Sequence, residues 1–143
     1  MVLGNAANVA CRSPGFYEWH PDGTGRKAPY YIHLNDQSLF AFAGLWDRSA
    51  KADGTAVESA VHITMPGNDL MRHVHNAGNN PFRMPAILRK EDHAAWFNGT
   101  PDQARAVLNQ YDAGLMVAHE VTAAVNSPKN NVAANIEPVS APR

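Results

Sequence analysis

The chain of 143 residues contains a single cysteine, Cys11, so an internal disulfide is excluded and a reducing compartment is indicated. No stretch approaches the roughly 18 consecutive apolar residues that a membrane-spanning helix requires. The first residues also lack the basic segment and apolar core of a secretory signal. Together with the length, these absences predict one cytoplasmic domain with no membrane segment.

Neither sign of charge is in clear excess, because 12 Lys and Arg stand against 13 Asp and Glu and the formal net charge is −1. This balance excludes a protein that coats nucleic acid through its overall charge. Contact with nucleic acid would need a local basic patch. One short region indicates such a patch through four basic residues: Arg72, Arg83, Arg89 and Lys90.

Short aromatic and β-branched runs separated by turn residues predict an antiparallel meander in the first half of the chain. Turn signals such as Pro21-Asp22-Gly23 separate these runs. The four predicted strands cover residues 15–20, 29–34, 39–46 and 59–65. Residues 1–14 are small and polar without periodicity, and they predict an irregular N-terminal segment.

The second half of the chain predicts short helices joined by loops. Thr100-Pro101-Asp102-Gln103 carries the residues of a capping box, with proline at the first helical position. We expect that helix to present an apolar face as far as Tyr111. The other predicted elements are a helix over 69–74 capped by Asn68, a loop over 77–81, a helix over 91–97, a strand over 115–125 and irregular chain from 126 onward.

Glu18 is the first candidate for acid–base chemistry, and it lies within the aromatic run Gly15-Phe16-Tyr17-Glu18-Trp19. Alternation along a strand places Phe16 and Glu18 on one face. If that face is the core side, desolvation raises the pKa of the carboxyl toward neutrality and makes it a proton donor or acceptor. A solvent-facing strand carboxylate is the simpler interpretation of the same residues.

His73-Val74-His75 suggests a metal site, but two histidines two positions apart point in opposite directions on a helix. A catalytic zinc needs three protein ligands, and His62 is the nearest further candidate. A metal-assisted hydrolase that uses His73 and His75 is therefore the weaker alternative. Arg83 suits either a phosphate contact or an ordinary surface position. Cys11 is followed by Arg12, which could lower the pKa of the thiol, although a lone cysteine is usually a small buried residue.

Five segments, in this order along the chain, resemble the SRAP family, the SOS response-associated peptidases or abasic-site processing proteins. They are Gly15-Phe16-Tyr17-Glu18-Trp19, Pro29-Tyr30-Tyr31-Ile32, Phe42-Ala43-Gly44-Leu45-Trp46-Asp47, His75-Asn76 with Arg83-Met84-Pro85-Ala86-Ile87-Leu88, and Val125-Asn126-Ser127-Pro128-Lys129-Asn130. The resemblance spans about residues 15–139.

The resemblance implies an α+β fold, with a curved, barrel-like, mainly antiparallel sheet and a few peripheral helices. It implies a protein of the DNA damage (SOS) response that binds single-stranded DNA containing abasic sites and forms a covalent crosslink there. In the family an N-terminal cysteine condenses with the ring-opened sugar, and autopeptidase activity removes the residues ahead of it. No cofactor or metal is implied, and the cytoplasmic protein would be nucleoid-associated when bound to DNA.

The resemblance also assigns roles to individual residues. Glu18 would be the glutamate that handles protons around the amine and the sugar, and His75 would assist opening of the sugar ring. The DNA-binding residues would be Trp19, Arg83, Met84 and Pro85.

The chain departs from the family pattern at its start. Family members begin Met-Cys-Gly-Arg, whereas this sequence begins Met1-Val2. We therefore expect an irregular segment over 1–14, a partial SRAP domain over 15–139 that is incomplete at the N-terminus and lacks the crosslinking cysteine, and a tail over 140–143. The alternative is a non-catalytic DNA-binding or interaction fragment. In either case, exposed sheet edges would favour self-association.

Overall fold

The computed structural model describes residues 7–139. These residues fall into two compact units. Within the described range, the first unit comprises residues 7–13, 40–65 and 85–111, and the second comprises residues 14–39, 66–84 and 112–139.

Residues 7–139 contain short strands and helices that we number in chain order. The strands are β1 (Ala7–Ser13), β2 (Phe16–Pro21), β3 (Lys27–Leu34), β4 (Phe40–Ala50), β5 (Ala56–His62), β6 (Thr64–Pro66), β7 (Arg83–Pro85), β8 (Ile87–Leu88) and β9 (Met116–Glu120). The α-helices are α1 (Asp69–Val74), α2 (His93–Asn98) and α3 (Pro101–Ala106). Single 3₁₀ turns cover Lys90–Asp92, Ala113–Leu115, Ala123–Asn126 and Ala133–Ile136.

The first unit is built on strand β4, which pairs antiparallel with β1, β5 and β8. The indole of Trp96 on α2 is buried against this sheet, and its Nε1 donates a hydrogen bond of 2.9 Å to the Val9 carbonyl of β1. Asn8 in turn donates to the Trp96 carbonyl at 2.6 Å. The buried core of the unit consists of Ala41, Ala43, Ala86, Leu88, Trp96 and Ala104.

The second unit is built on an antiparallel sheet in the order β2-β3-β9. Helix α1 covers one face, where its Asn68 cap donates through Nδ2 to the Met116 sulfur at 3.3 Å. The C-terminal 3₁₀ turns contact the other face. There, Trp19 Nε1 donates to Asn126 Oδ1 at 2.8 Å, and the His119 Nε2 lies 2.8 Å from the Ile136 carbonyl.

The two predicted helix caps, Thr100 and Asn68, are confirmed. The Thr100 hydroxyl accepts from the backbone of Gln103 and the Gln103 side chain accepts from the Thr100 N–H, which completes the capping box. The Asn68 side chain caps α1 through a hydrogen bond from the Met71 N–H. Helix α3 ends at Ala106 and does not reach Tyr111, because the chain closes into a tight turn after Ala106.

The predicted irregular segment over residues 1–14 is wrong for residues 7–13, which form β1. Seven residues of β4 lie opposite β1 in an antiparallel pair, so pairing with a distant strand produces β1 although its sequence does not alternate. Residues 1–6 and the predicted tail over 140–143 lie outside the described residues. The irregular C-terminal chain is also interrupted, by the turn at Ala133–Ile136 and by a bridge between Val121 and Pro138.

The α+β class with mainly antiparallel sheets is confirmed, but the single meander is wrong. Strand β3 pairs with β2 and β9, whereas β4 pairs with β1, β5 and β8. The consecutive strands β3 and β4 therefore belong to different sheets, and the strands of residues 7–139 form no closed barrel. In the same part of the chain, no helix is both long and apolar enough to cross a membrane.

Candidate functional site

An open cleft of about 660 Å³ lies in the second unit. Its lining includes Glu18 and Trp19 of β2, Lys27 of β3, His75 at the end of α1, and the loop residues 77–80. Three elements of one compact unit thus deliver a carboxyl, an imidazole, an ammonium group and an indole to the same space.

A tight hairpin between β2 and β3 positions Glu18, Trp19 and Lys27. The Asp22 carboxylate accepts hydrogen bonds from the Thr24 backbone at 2.8 Å and the Thr24 hydroxyl at 2.7 Å. These bonds hold the pKa of Asp22 below its usual value. Gly23 and Gly25 adopt φ angles of +79° and +89°, which glycine tolerates without strain. The turn thereby fixes the register in which Glu18 faces Tyr30.

Glu18 lies on the face of β2 that α1 covers, together with His20. The His20 Nδ1 lies 3.3 Å from the Val74 carbonyl, and its ring packs against that of His73 with centroids 5.0 Å apart. This packing leaves the Glu18 side chain half-buried. Glu18 thus shares a half-buried face of β2 with Phe16, and the simpler interpretation of a solvent-facing carboxylate does not hold.

Burial raises the pKa of the Glu18 carboxyl above its ordinary value. The charge of His75 and a hydrogen bond from the Trp19 backbone oppose this effect but do not cancel it. Because Glu18 and His75 line the same cleft, both groups can act on one bound molecule. A carboxyl with a raised pKa keeps a protonated fraction at higher pH than an exposed glutamate does.

His75 terminates α1 and is held by backbone groups on both sides of the following loop. Its N–H donates to the Met71 carbonyl at 2.7 Å, and its carbonyl accepts from the Phe82 N–H at 2.6 Å. The His75 Nδ1 lies 3.1 Å from the Arg83 carbonyl oxygen. A carbonyl only accepts hydrogen bonds, so Nδ1 carries the proton in this contact, and in the neutral imidazole the lone pair is on Nε2.

The loop over residues 76–81 is closed by Phe82, which has an uncommon positive φ of 61° for a residue other than glycine. The Arg72 guanidinium lies 5.7 Å from the centroid of the Phe82 ring, which supports this position. Two hydrogen bonds and one cation–π contact therefore hold the ends of the loop together beside the cleft.

Trp19 is 36% exposed although it belongs to a paired strand. Its hydrogen bond to Asn126 fixes the indole, so that an aromatic surface remains open to solvent at the cleft. Alternation puts Trp19 and Glu18 on opposite faces of β2, yet both line the cleft. Strand β2 is the edge of its sheet, and the cleft is therefore reached from both faces.

The remaining predicted DNA-binding residues differ from one another in their exposure to solvent. Arg83 is exposed, and its carbonyl supports His75. Met84 is only 1% exposed, and its sulfur accepts from the Asn68 N–H at 3.4 Å, so its side chain packs against the start of α1. Pro85 is partly buried and belongs to the first unit.

Lys27 and the loop residues Asn79 and Asn80 line the cleft but were not predicted as site residues. The hairpin turn after Pro21 is the signal that could have identified Lys27, because it returns the chain to within one strand spacing of β2. The loop carries no such signal. Its place beside Glu18 depends on the packing of α1.

Within residues 7–139, no group of three His, Cys, Asp or Glu side chains is placed to hold a metal ion. His73 packs against His20, while His75 is directed to the Arg83 carbonyl. The metal-assisted hydrolase therefore has no site in this part of the chain. Cys11 is exposed on β1 of the first unit.

Comparison with known proteins finds relatives that share one description. YoqW of Bacillus subtilis (strain 168), an abasic site processing protein, is 39% identical over 119 residues, which are 81% of this chain and 50% of that protein. YoaM of the same organism has the same description and is 37% identical over 121 residues, 82% of this chain and 51% of that protein. The chain spans about half the length of these curated relatives.

A solved structure of a protein from Bacteroides thetaiotaomicron superimposes with a TM-score of 0.81 and 27% identity, covering 94% of this chain and 57% of the other. A solved structure of a protein from Bordetella bronchiseptica superimposes with a TM-score of 0.70 and 26% identity, covering 80% of this chain and 55% of the other. The family model for SOS response associated peptidase (SRAP) matches residues 8–128. Because this match covers most of the chain, the protein belongs to the SRAP family.

Proposed function

We propose that this protein binds single-stranded DNA at abasic sites, and that Glu18 and His75 carry out proton transfers on the abasic sugar. The observation that carries the proposal is the meeting of a half-buried carboxyl and an oriented imidazole in one cleft with an exposed indole. The description of the relatives as abasic site processing proteins supports the same substrate.

The proposed chemistry begins with the closed, hemiacetal form of the abasic deoxyribose. Ring opening removes the proton of the C1′ hydroxyl and delivers a proton to the ring oxygen, while the bond between C1′ and that oxygen breaks. The Nε2 lone pair of His75 accepts the first proton, and the Glu18 carboxyl donates the second. The product is an aldehyde that an amine can attack, with loss of water to form an imine.

Binding of the strand would use the groups around this pair. An exposed indole is a stacking surface for a base and is tolerant of sequence, because every base has a π face. Arg83 would contact phosphate, and Met84 would hold the backbone beneath it. Such a mode fits a nearly neutral chain, since stacking and a few local cations replace a broad basic surface.

The covalent crosslink of the family is a separate step that needs an amine with an adjacent thiol. The one thiol among residues 7–139 is Cys11, which lies inside β1 of the first unit. We therefore restrict the proposal to DNA binding and to the proton transfers. A crosslink would require these proton transfers, whereas the proton transfers do not require a crosslink.

The experiment compares binding of single strands with and without one abasic site by fluorescence anisotropy, for the wild type, Trp19→Ala and the exposed control Glu58→Gln. We expect preference for the abasic strand and a loss of about 1–3 kcal/mol for Trp19→Ala, with no change for Glu58→Gln. Equal affinity for both strands would contradict the substrate. A denaturing gel of the same mixtures reports separately whether a covalent complex forms.

A further inference from the structure

Lys27 is an exposed cation that lines the cleft at the first position of β3. It pairs opposite Pro21 at the turn end of the hairpin. Among residues 7–139 no carboxylate forms an ion pair with Lys27. The neighbouring Arg26 differs, because its charge acts on the Asp22 carboxylate and it does not line the cleft. Of the two adjacent cations, only Lys27 is available to a ligand in this space.

Lys27 shares a face of the hairpin with Trp19. The register places Trp19 opposite Pro29, and Lys27 precedes Pro29 by two positions. Paired residues and residues two apart point to the same side, so Trp19 and Lys27 are diagonal neighbours, about 7–8 Å apart. An aromatic surface and an ammonium group at this spacing can engage a base and a phosphate of one nucleotide.

We propose that Lys27 binds the phosphate of the nucleotide next to the abasic sugar, while Trp19 stacks on the base of that nucleotide. The inference rests on the proposed function and adds a phosphate subsite to it. The ligand is the phosphodiester itself, so recognition is independent of base sequence.

The position of Lys27 separates it from the proton-transfer groups. The charge that acts on the Glu18 carboxyl is that of His75, and Lys27 contributes no comparable effect. An ammonium group placed beside Glu18 would stabilise its ionised form and reduce its capacity to donate a proton. Lys27 can therefore bind the strand without acting on the proton-transfer groups.

The test measures the affinity of a fluorescent single strand with a stable, unreactive abasic analogue as a function of salt. Variants Lys27→Met and Lys27→Arg are compared with Arg26→Met, which removes the adjacent cation outside the cleft. For Lys27→Met we expect a loss of about three- to tenfold at low salt, and a plot of log K against log salt that is shallower by about 0.7. We expect Lys27→Arg to retain the slope of the wild type. Arg26→Met should change the affinity by less than about twofold, which is close to the error of the measurement.

The outcomes separate the subsite from the function. If the wild type shows no preference for the abasic strand, the proposed function fails and the subsite fails with it. If the wild type shows the preference but Lys27→Met keeps both its affinity and its slope, only the subsite is overturned. An equal effect of Arg26→Met also overturns it, because loss of any nearby charge would then suffice. A structural role for Lys27 would change affinity without changing the slope.

Discussion

The Nδ1 of His75 lies 3.1 Å from the backbone carbonyl oxygen of Arg83, eight residues further along the chain. This contact joins the two ends of the loop over residues 76–81 and fixes the ring that ends α1. It also decides which nitrogen faces outward, since the nitrogen bound to a carbonyl must carry the proton. The sequence motif that contains both His75 and Arg83 is thus held together by a hydrogen bond from the His75 ring to the Arg83 backbone.

The pH dependence of stability tests the environment of Glu18. Its pKa in the folded protein is raised above the ordinary value of 4.5, so the folded state binds more protons than the unfolded state across that interval. The free energy of unfolding of the wild type, relative to Glu18→Gln, is therefore highest below pH 4.5. It falls as the pH rises through the folded pKa and is constant above it.

Urea unfolding of both proteins at a series of pH values measures this difference. Glu58→Gln on the exposed strand β5 serves as the matched control for the loss of one carboxylate. A difference between wild type and Glu18→Gln that rises with pH would show that the carboxyl is stabilised in its ionised form, and would contradict the acid role.

Asn68 is expected to control the position of His75 through helix α1. It is buried, caps the helix by accepting from the Met71 N–H at 3.0 Å, and contacts the Met116 sulfur. Asn68→Ala should lower the free energy of unfolding by about 1 kcal/mol or more, because a cap and a buried polar contact are lost. Asn68→Ser keeps the capping oxygen and should recover part of that loss in urea unfolding. Equal stability of Asn68→Ala and wild type would show that the cap is not needed.

The helix caps and the face of Glu18 could be predicted because local residues determine them. Thr100 and Gln103 complete a capping box through a three-residue spacing, and Phe16 and Glu18 share a face through simple alternation. Strand β1 could not be predicted, because its order depends on pairing with β4, which lies far away in the sequence. The burial of Met84 beneath α1 was missed for the same reason.

The site could be predicted only where a motif contains the residue itself. Glu18 and His75 lie in the motifs that resemble the family, and they line one cleft. Lys27 lies outside these motifs, and nothing near it in the sequence indicates a ligand. Its approach to Trp19 follows from the hairpin register, which depends on the turn at Asp22.

Self-association is expected through strand β5, which is an edge of the first unit's sheet and is exposed along most of its length. Val61 on this strand is 58% exposed, and an apolar edge strand favours pairing with another chain. Light scattering over a range of concentrations should show association that Val61→Lys reduces. Val132→Lys, equally exposed but outside any strand, is the control and should have no effect. A wild type that stays monomeric at all concentrations would contradict this expectation.

The rate at which a small amine captures the abasic aldehyde tests the role of Glu18 and His75 most directly. Methoxyamine reacts only with the ring-opened sugar, so its consumption on saturated protein–DNA complexes reports ring opening without requiring a nucleophile in the protein. We predict an acceleration of about 10²-fold over free abasic DNA, lost in Glu18→Gln and His75→Gln and retained in Glu58→Gln. A wild type that binds the abasic strand but captures methoxyamine no faster than free DNA would identify a non-catalytic binding protein and contradict the account.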